Sequence, residues 1–296
     1  MHPSKRSLGL ALGLIAVVMF SGSLPATRAA VADLDPWFVT VARAAIGGAL
    51  ALGLLAVRRP SFPRAYLGRL SLIALCLVIG FPAAMAVASV TVPAAHAGVI
   101  LGLLPLATAI AAVPLAGERP SLFFWVLSLI GAALVAAFAL RDGDVSVVTG
   151  DIYLAVAVTL TGIGYTLSGT MARSVPGWQV IAWALVLSFP PTAVATYLLW
   201  PSDAVAVPWP AWAGLIYAGV FSQFVGYALW NAALAIGGVA RVGQLQLVQP
   251  FATMAIAALL LGEAISGEMI GFAAAVVVVV ALGRRAAIGE RPVAAG

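Results

Sequence analysis

The chain has 296 residues, 63% of them hydrophobic and only 8% charged, and its mean hydropathy is +1.11. A soluble domain carries roughly 25% charged residues, so 25 charged side chains cannot cover a water-facing surface of this size, and the solvent around most of the protein is lipid. The net charge of +5 does not point to nucleic acid, because the basic residues sit at the ends of apolar runs rather than in one patch with interleaved aromatics.

A transmembrane helix needs about 20 apolar residues to cross a hydrocarbon core about 30 Å thick. Breaks at charges, Pro and Gly divide the chain into ten such runs. Lys5 and Arg6 ahead of the first run, 8–29, resemble the start of a signal peptide, and the small residues Ala26 to Ala30 a cleavage site. The apolar stretch from Leu8 to Thr27 has transmembrane length, so it is read as a retained first helix. The second and third runs are 36–57 and 66–89. The third holds Cys76, the single cysteine, which excludes an intrachain disulfide and leaves a cysteine-based metal site unsupported. Then follow 93–116, 121–140, 150–171, 177–200, 209–232, 238–261 and 267–283, with a short tail after Arg285. The connections are short, so nearly every backbone group stays in helix, as a bilayer demands.

Charge tests the count. With the N-terminus in the cytoplasm, Lys5, Arg6, Arg58, Arg59, Arg64, Arg69, Arg119, Arg173, Arg241, Arg284, Arg285 and Arg291 fall at cytoplasmic ends, which is 12 of the 15 basic residues. That is the bias expected of inward loops. Asp33, Asp35, Asp142, Asp144, Asp151, Asp203, Glu263 and Glu268 fall at the opposite ends. Trp37, Trp200, Trp209 and Trp212 lie near the outer boundary, and Trp125, Trp178 and Trp230 near the inner one, as interfacial anchors do. Trp183 lies deeper in its run.

A repeat recurs at an offset of 145 residues: Pro105, Thr108, Gly117, Glu118 and Ser121 match Pro250, Thr253, Gly262, Glu263 and Ser266, with Ala95 and Gly98 matching Ala240 and Gly243. The unit, 1–146 against 147–296, holds five runs. An odd number inserts the second copy from the opposite side, so the expected fold is all-α: ten transmembrane helices as two inverted-topology five-helix repeats around a central cavity.

The duplicated Pro-x-x-Thr…Gly-Glu block resembles the EamA-type branch of the drug/metabolite transporter superfamily. Further similarities are Arg43, the Gly-Ser-x-Pro stretch from Gly22 to Pro25, and the stretch from Pro93 through His96 to Pro105. The resemblance covers essentially the whole chain. It implies export, or less often import, of small polar or amphipathic metabolites, amino acids among them, and leans toward amino-acid exporters of the YddG kind.

Large polar side chains inside a membrane are costly and tend to face a cavity or a neighbouring helix. Gln246, Gln249 and Thr253 share a face beside Pro250, and Pro deprives a carbonyl one turn earlier of its amide; the glutamines either meet substrate or bridge helices. Gln223, Tyr227 and Asn231 recur every four residues, Tyr227 as the cavity candidate and Asn231, with Trp230, as interfacial. Thr161, Tyr165 and Ser168 form another face, with Gly162 and Gly164 allowing close helix approach. Tyr165 and Trp183 are the aromatics placed to stack on substrate. His96 matches Arg241 at the same offset; it either contacts substrate and couples transport to pH or is a satisfied helix-end residue, while Arg241 snorkels to headgroups. Arg43 is deeper and is expected to bond helix-end carbonyls or a loop acid such as Asp33 or Asp35.

The candidate substrate-binding residues are therefore His96, Tyr165, Trp183, Tyr227, Gln246 and Gln249. No cofactor or metal is expected; the partners are a small-molecule substrate and the lipid bilayer, and a monomer suffices. No Asp or Glu lies at mid-depth in any run, so ion coupling is not visible beyond His96. The expectation is a secondary transporter exporting amino acids from a bacterial cytoplasmic membrane. Its alternatives are transport of sugar-phosphates, nucleotide-sugars or drug-like compounds, or a channel-like facilitator. An intramembrane enzyme lacks the clustered His, Asp or Ser/Lys it would need.

Overall fold

Only a helix satisfies each backbone N–H and C=O within its own segment in a solvent that offers no hydrogen bonds. The computed structural model, which describes residues 3–91, 100–101, 103–140, 149–261, 267–283, 286 and 288–290, follows that rule. Helix α1 (Pro3–Ser21) runs on into α2 (Ser23–Val31), and α3 (Pro36–Arg58) follows. A 3-10 turn (Arg64–Tyr66), α4 (Leu67–Ile73), a π-helical segment (Ala74–Gly80) and α5 (Phe81–Thr91) make one column. Next come α6 (Leu104–Ala116), α7 (Leu122–Leu140), α8 (Thr149–Met171) and α9 (Gly177–Leu198). A second composite column consists of α10 (Trp209–Tyr217), a π-helical segment (Ala218–Gly226) and α11 (Tyr227–Gly237). The run 238–261 is divided into α12 (Val239–Gly243), a 3-10 stretch (Gln244–Val248) and α13 (Gln249–Leu261), and α14 (Gly267–Gly283) is the last helix.

Among the described residues, six helical stretches are long and apolar enough to cross a membrane: Ser7–Val31, Pro36–Arg58, Arg64–Met85, Ile152–Met171, Gly177–Leu198 and Trp209–Gly237. Leu104–Ala116, Leu122–Ala137 and Ile270–Gly283 are shorter apolar helices. Each overlaps one of the apolar runs. Leu122, Val194, Leu259 and Val278 stand exposed along these helices, as side chains facing lipid should.

Local chemistry sets the ends. Asp35 accepts hydrogen bonds from the Trp37 and Phe38 amides at 2.9 and 3.0 Å, capping a helix that opens with Pro36. Gly117, at φ +68°, ends α6 in the left-handed region. Gly238, at φ +88°, makes the single-residue joint between α11 and α12.

The 145-residue offset extends to secondary structure. Helices α6 and α13 begin at residues 104 and 249 and α7 and α14 at 122 and 267, each pair 145 apart, while the two π-helical segments begin at 74 and 218, one residue short of that offset. The main buried core draws on residues from Ala16 to Ala286, on both sides of residue 146. Helix α3 packs on α9, α1 on α11, and α8 on both α5 and α6. Glycines bring these backbones together: a Cβ at Gly162 would stand 2.9 Å from the Ala107 carbonyl. Hydropathy did not anticipate a two-stranded antiparallel ribbon, β1 (Glu118–Pro120) with β2 (Ile288–Glu290), in register Glu118↔Glu290 and Pro120↔Ile288.

Candidate functional site

Tyr165 projects from α8 into the interior, where its hydroxyl accepts a hydrogen bond from Gln246 Nε2 at 3.2 Å. Its ring lies 6.1 Å from Tyr227 and 5.3 Å from Trp230, centroid to centroid. Phe20 of α1 closes the group, 5.2 Å from Tyr227 and 6.1 Å from Trp230. Three of the six candidates, Tyr165, Tyr227 and Gln246, thus meet at one buried junction of α1, α8, α11 and the 3-10 stretch. Tyr227 and Trp230 reach it together because residues three apart share a helix face.

Two residues assigned to the interface are interior. Trp230 is fully buried with its indole N–H unpartnered, and Asn231 is fully buried with its amide donating to the Gly177 carbonyl at 3.4 Å while its Oδ1 has no partner. Arg241 does not reach the headgroups; it is buried and donates to the Ala286 carbonyl at 3.1 Å.

Arg43 is also placed differently from expectation. Its Nη2 donates to Ser222 Oγ on the second π-helical segment at 3.3 Å, and its Nε is buried without a partner. The guanidinium lies close enough to the Tyr227 hydroxyl to interact with it electrostatically. The acids nominated for it are elsewhere: Asp35 caps α3 and Asp33 is exposed. Beside Ser222, Gln223 is fully buried and neither atom of its amide has a hydrogen-bond partner. The four-residue stripe hinted at Gln223, but bringing Arg43 to its neighbour Ser222 requires a contact across 179 residues.

The other candidates stand apart from this junction. Trp183 packs edge-to-face on Phe62, centroids 4.9 Å apart, with its indole N–H buried and unpartnered. Among the described residues no ring contact joins it to Tyr165. Gln249 is half-buried, and its backbone carbonyl accepts from Ser21 Oγ at 3.3 Å. Pro250 does not expose the Gln246 carbonyl, because the 3-10 turn lets the Gln249 amide bond to it. Thr161 and Ser168 spend their hydroxyls on the carbonyls of Ala157 and Gly164. His96, Pro93, Ala95, Gly98, Gly262, Glu263 and Ser266 lie outside the described residues.

Glu118 of the Gly-Glu block has a defined task. It is buried, accepts from the Val239 and Ala240 amides at 2.7 and 2.8 Å, and meets Arg173 at 3.4 Å. A carboxylate at the start of α12 satisfies amides that no intrahelical carbonyl reaches. It thereby ties the end of α6 to the turn at Gly238.

The junction offers hydrogen-bond donors and acceptors, aromatic faces and one guanidinium. Among the described residues no group of three His, Cys, Asp or Glu could hold a metal. A separate groove of about 370 Å³ between α3, α9 and α10, lined by Phe38, Ile46, Phe189 and Trp212, is almost wholly apolar and carries no such chemistry.

Comparison with known proteins gives concordant results. The model of the EamA-like transporter family matches residues 7–140 and again 148–283. The chain is 44% identical over 283 residues to the "Uncharacterized transporter YdeK" of Bacillus subtilis (strain 168), covering 95% of this chain and 99% of that protein. It is 27% identical over 265 residues to a "Probable terminal-alkyne amino-acid exporter" of Streptantibioticus cattleyicolor, covering 84% of each. A solved crystal structure, 21% identical, superposes with a TM-score of 0.74 over 95% of this chain and 99% of that one, which shows a shared fold.

Proposed function

Because the chain belongs to the EamA-like transporter family and is a multi-pass membrane transporter, not an enzyme, we propose that it exports small metabolites, amino acids foremost and aromatic or hydrophobic ones among them, by alternating access. Ten spans form two five-helix units, 1–146 and 147–296, inserted in opposite orientations in a bacterial cytoplasmic membrane, with both termini cytoplasmic. The recurrence of two helix starts at an offset of 145 residues, with the π-helical segments recurring within one residue of it, supports the duplication. The distribution of Lys and Arg supports the orientation.

One observation carries the reading: Tyr165, Tyr227 and Gln246 of the second unit are buried together, and Phe20 of the first unit packs on Tyr227, which supports a passenger site where the two repeats meet. Aromatic faces beside amide groups suit amphipathic solutes such as amino acids with apolar side chains. The relative named as an amino-acid exporter supports the class. Reconstitution of the full chain into liposomes with a panel of labelled amino acids tests it. Saturable, protein-dependent flux is expected. Flux confined to sugar-phosphates, nucleotide-sugars or drug-like cations would overturn the substrate class, and flux that never saturates would replace the carrier with a channel.

A further inference from the structure

A guanidinium taken from water into an apolar interior is costly unless a counter-charge and hydrogen bonds replace its hydration. Arg43, a part-buried side chain with its Nε fully enclosed, has neither in full measure. One nitrogen bonds the neutral Ser222 hydroxyl, Nε is unpartnered, and no ion pair to it forms among the described residues. Next to that hydroxyl in sequence, Gln223 keeps a buried donor and a buried acceptor unused. Both Ser222 and Gln223 belong to a π-helical segment, a rare geometry that frequently marks functional sites.

The fold does not require these groups. The packing of α3 against the second π-helical segment has a counterpart in α9 against the first. At the 145-residue offset, Arg43, Gln223 and Tyr227 correspond to Ser188, Val78 and Pro82. Ser188 spends its hydroxyl on the Ala184 carbonyl, and Val78 is plain core. One half therefore builds this contact without a charge, and the other carries an arginine and an amide with unused hydrogen-bonding capacity.

We infer that Arg43, with Gln223 and Tyr227, is the seat for the carboxylate of the transported molecule. The passenger brings the negative charge the interior lacks, so a guanidinium that is poorly compensated in the empty protein becomes paired when the site is filled. Gln223 Nε2 donates to the same carboxylate, and its Oε1 is left to accept from an α-ammonium group. This deepens the amino-acid reading of the same site and rests on it.

Thermal stabilisation of the purified full chain separates the two ideas. The probes are matched triplets: leucine, 4-methylpentanoate and 3-methylbutylamine, and phenylalanine, 3-phenylpropanoate and phenethylamine. The parent should bind the amino acid at least about 50-fold more tightly than the amine that lacks its carboxylate, the scale of a lost charge-assisted pair. Arg43→Gln should reduce that preference to within about threefold. If amino acids bind and Arg43→Gln keeps the parental preference, the carboxylate seat is wrong while the amino-acid reading stands. If the acids without ammonium bind as well as the amino acids and depend on Arg43, the seat stands and the amino-acid reading falls. Binding of amines alone, or of nothing in the set, defeats both. Ser222→Asp guards against an Arg43 variant that does not fold. It places a carboxylate against the guanidinium, so the empty variant should melt higher than the empty parent and lose stabilisation by amino acids. A variant that melts no higher, or still binds them at parental strength, contradicts the seat.

Discussion

Tyr165 serves as both wall and acceptor: its ring packs on Trp230 and Tyr227, and its hydroxyl takes the Gln246 amide. Tyr165→Phe keeps the ring and strands a buried donor, a loss of about 1–3 kcal/mol. It should lower the melting temperature in detergent by several degrees and slow flux, whereas Gln249→Ala, at a half-buried position, should leave stability within about 0.5 kcal/mol of the parent. Glu118→Ala should cost more. It removes the acceptor of two amides at the start of α12 and a partner of Arg173, together about 3 kcal/mol or more, which a thermal melt reads directly. The sequence marked Tyr165, Tyr227 and Gln246 because large polar groups in apolar helices are conspicuous. It could not pair Arg43 with Ser222, since that contact links residues 179 apart and only the three-dimensional packing creates it.

At the scale of elements, the hydropathy breaks located helices closely; run 267–283 has the same limits as α14. They could not locate the π-helical segments, the 3-10 stretch or the joint at Gly238. Hydropathy registers which side chains avoid water, and these features differ only in which carbonyl each amide chooses. The β1–β2 ribbon was hidden for a related reason: three-residue strands carry too little alternation to read. Helix contacts were partly legible in the glycines. Gly162→Val should separate α8 from α6, because even a Cβ meets the Ala107 carbonyl at 2.9 Å; strain of about 1–3 kcal/mol or more should appear as reduced yield of folded protein by size-exclusion chromatography. Gly53→Ala, where a Cβ meets nothing within 4 Å, is its control and should be neutral or slightly stabilising.

For the whole molecule, the orientation of the two units fixes which connections face which side. In a Cys76→Ser background, a cysteine replacing the exposed Ser61, between α3 and α4, should react with an impermeant thiol reagent only from the cytoplasmic side. One replacing Ser202, between α9 and α10, should react only from outside. Equal reactivity from one side at both positions would remove the inverted arrangement. The most direct test addresses the junction itself. In the same background, the proposed alternating access predicts that Tyr227→Cys is modified by impermeant reagents from either side of the membrane and that a transported amino acid slows both reactions. Modification from one side only under every condition, or from neither, would contradict alternating access through this site.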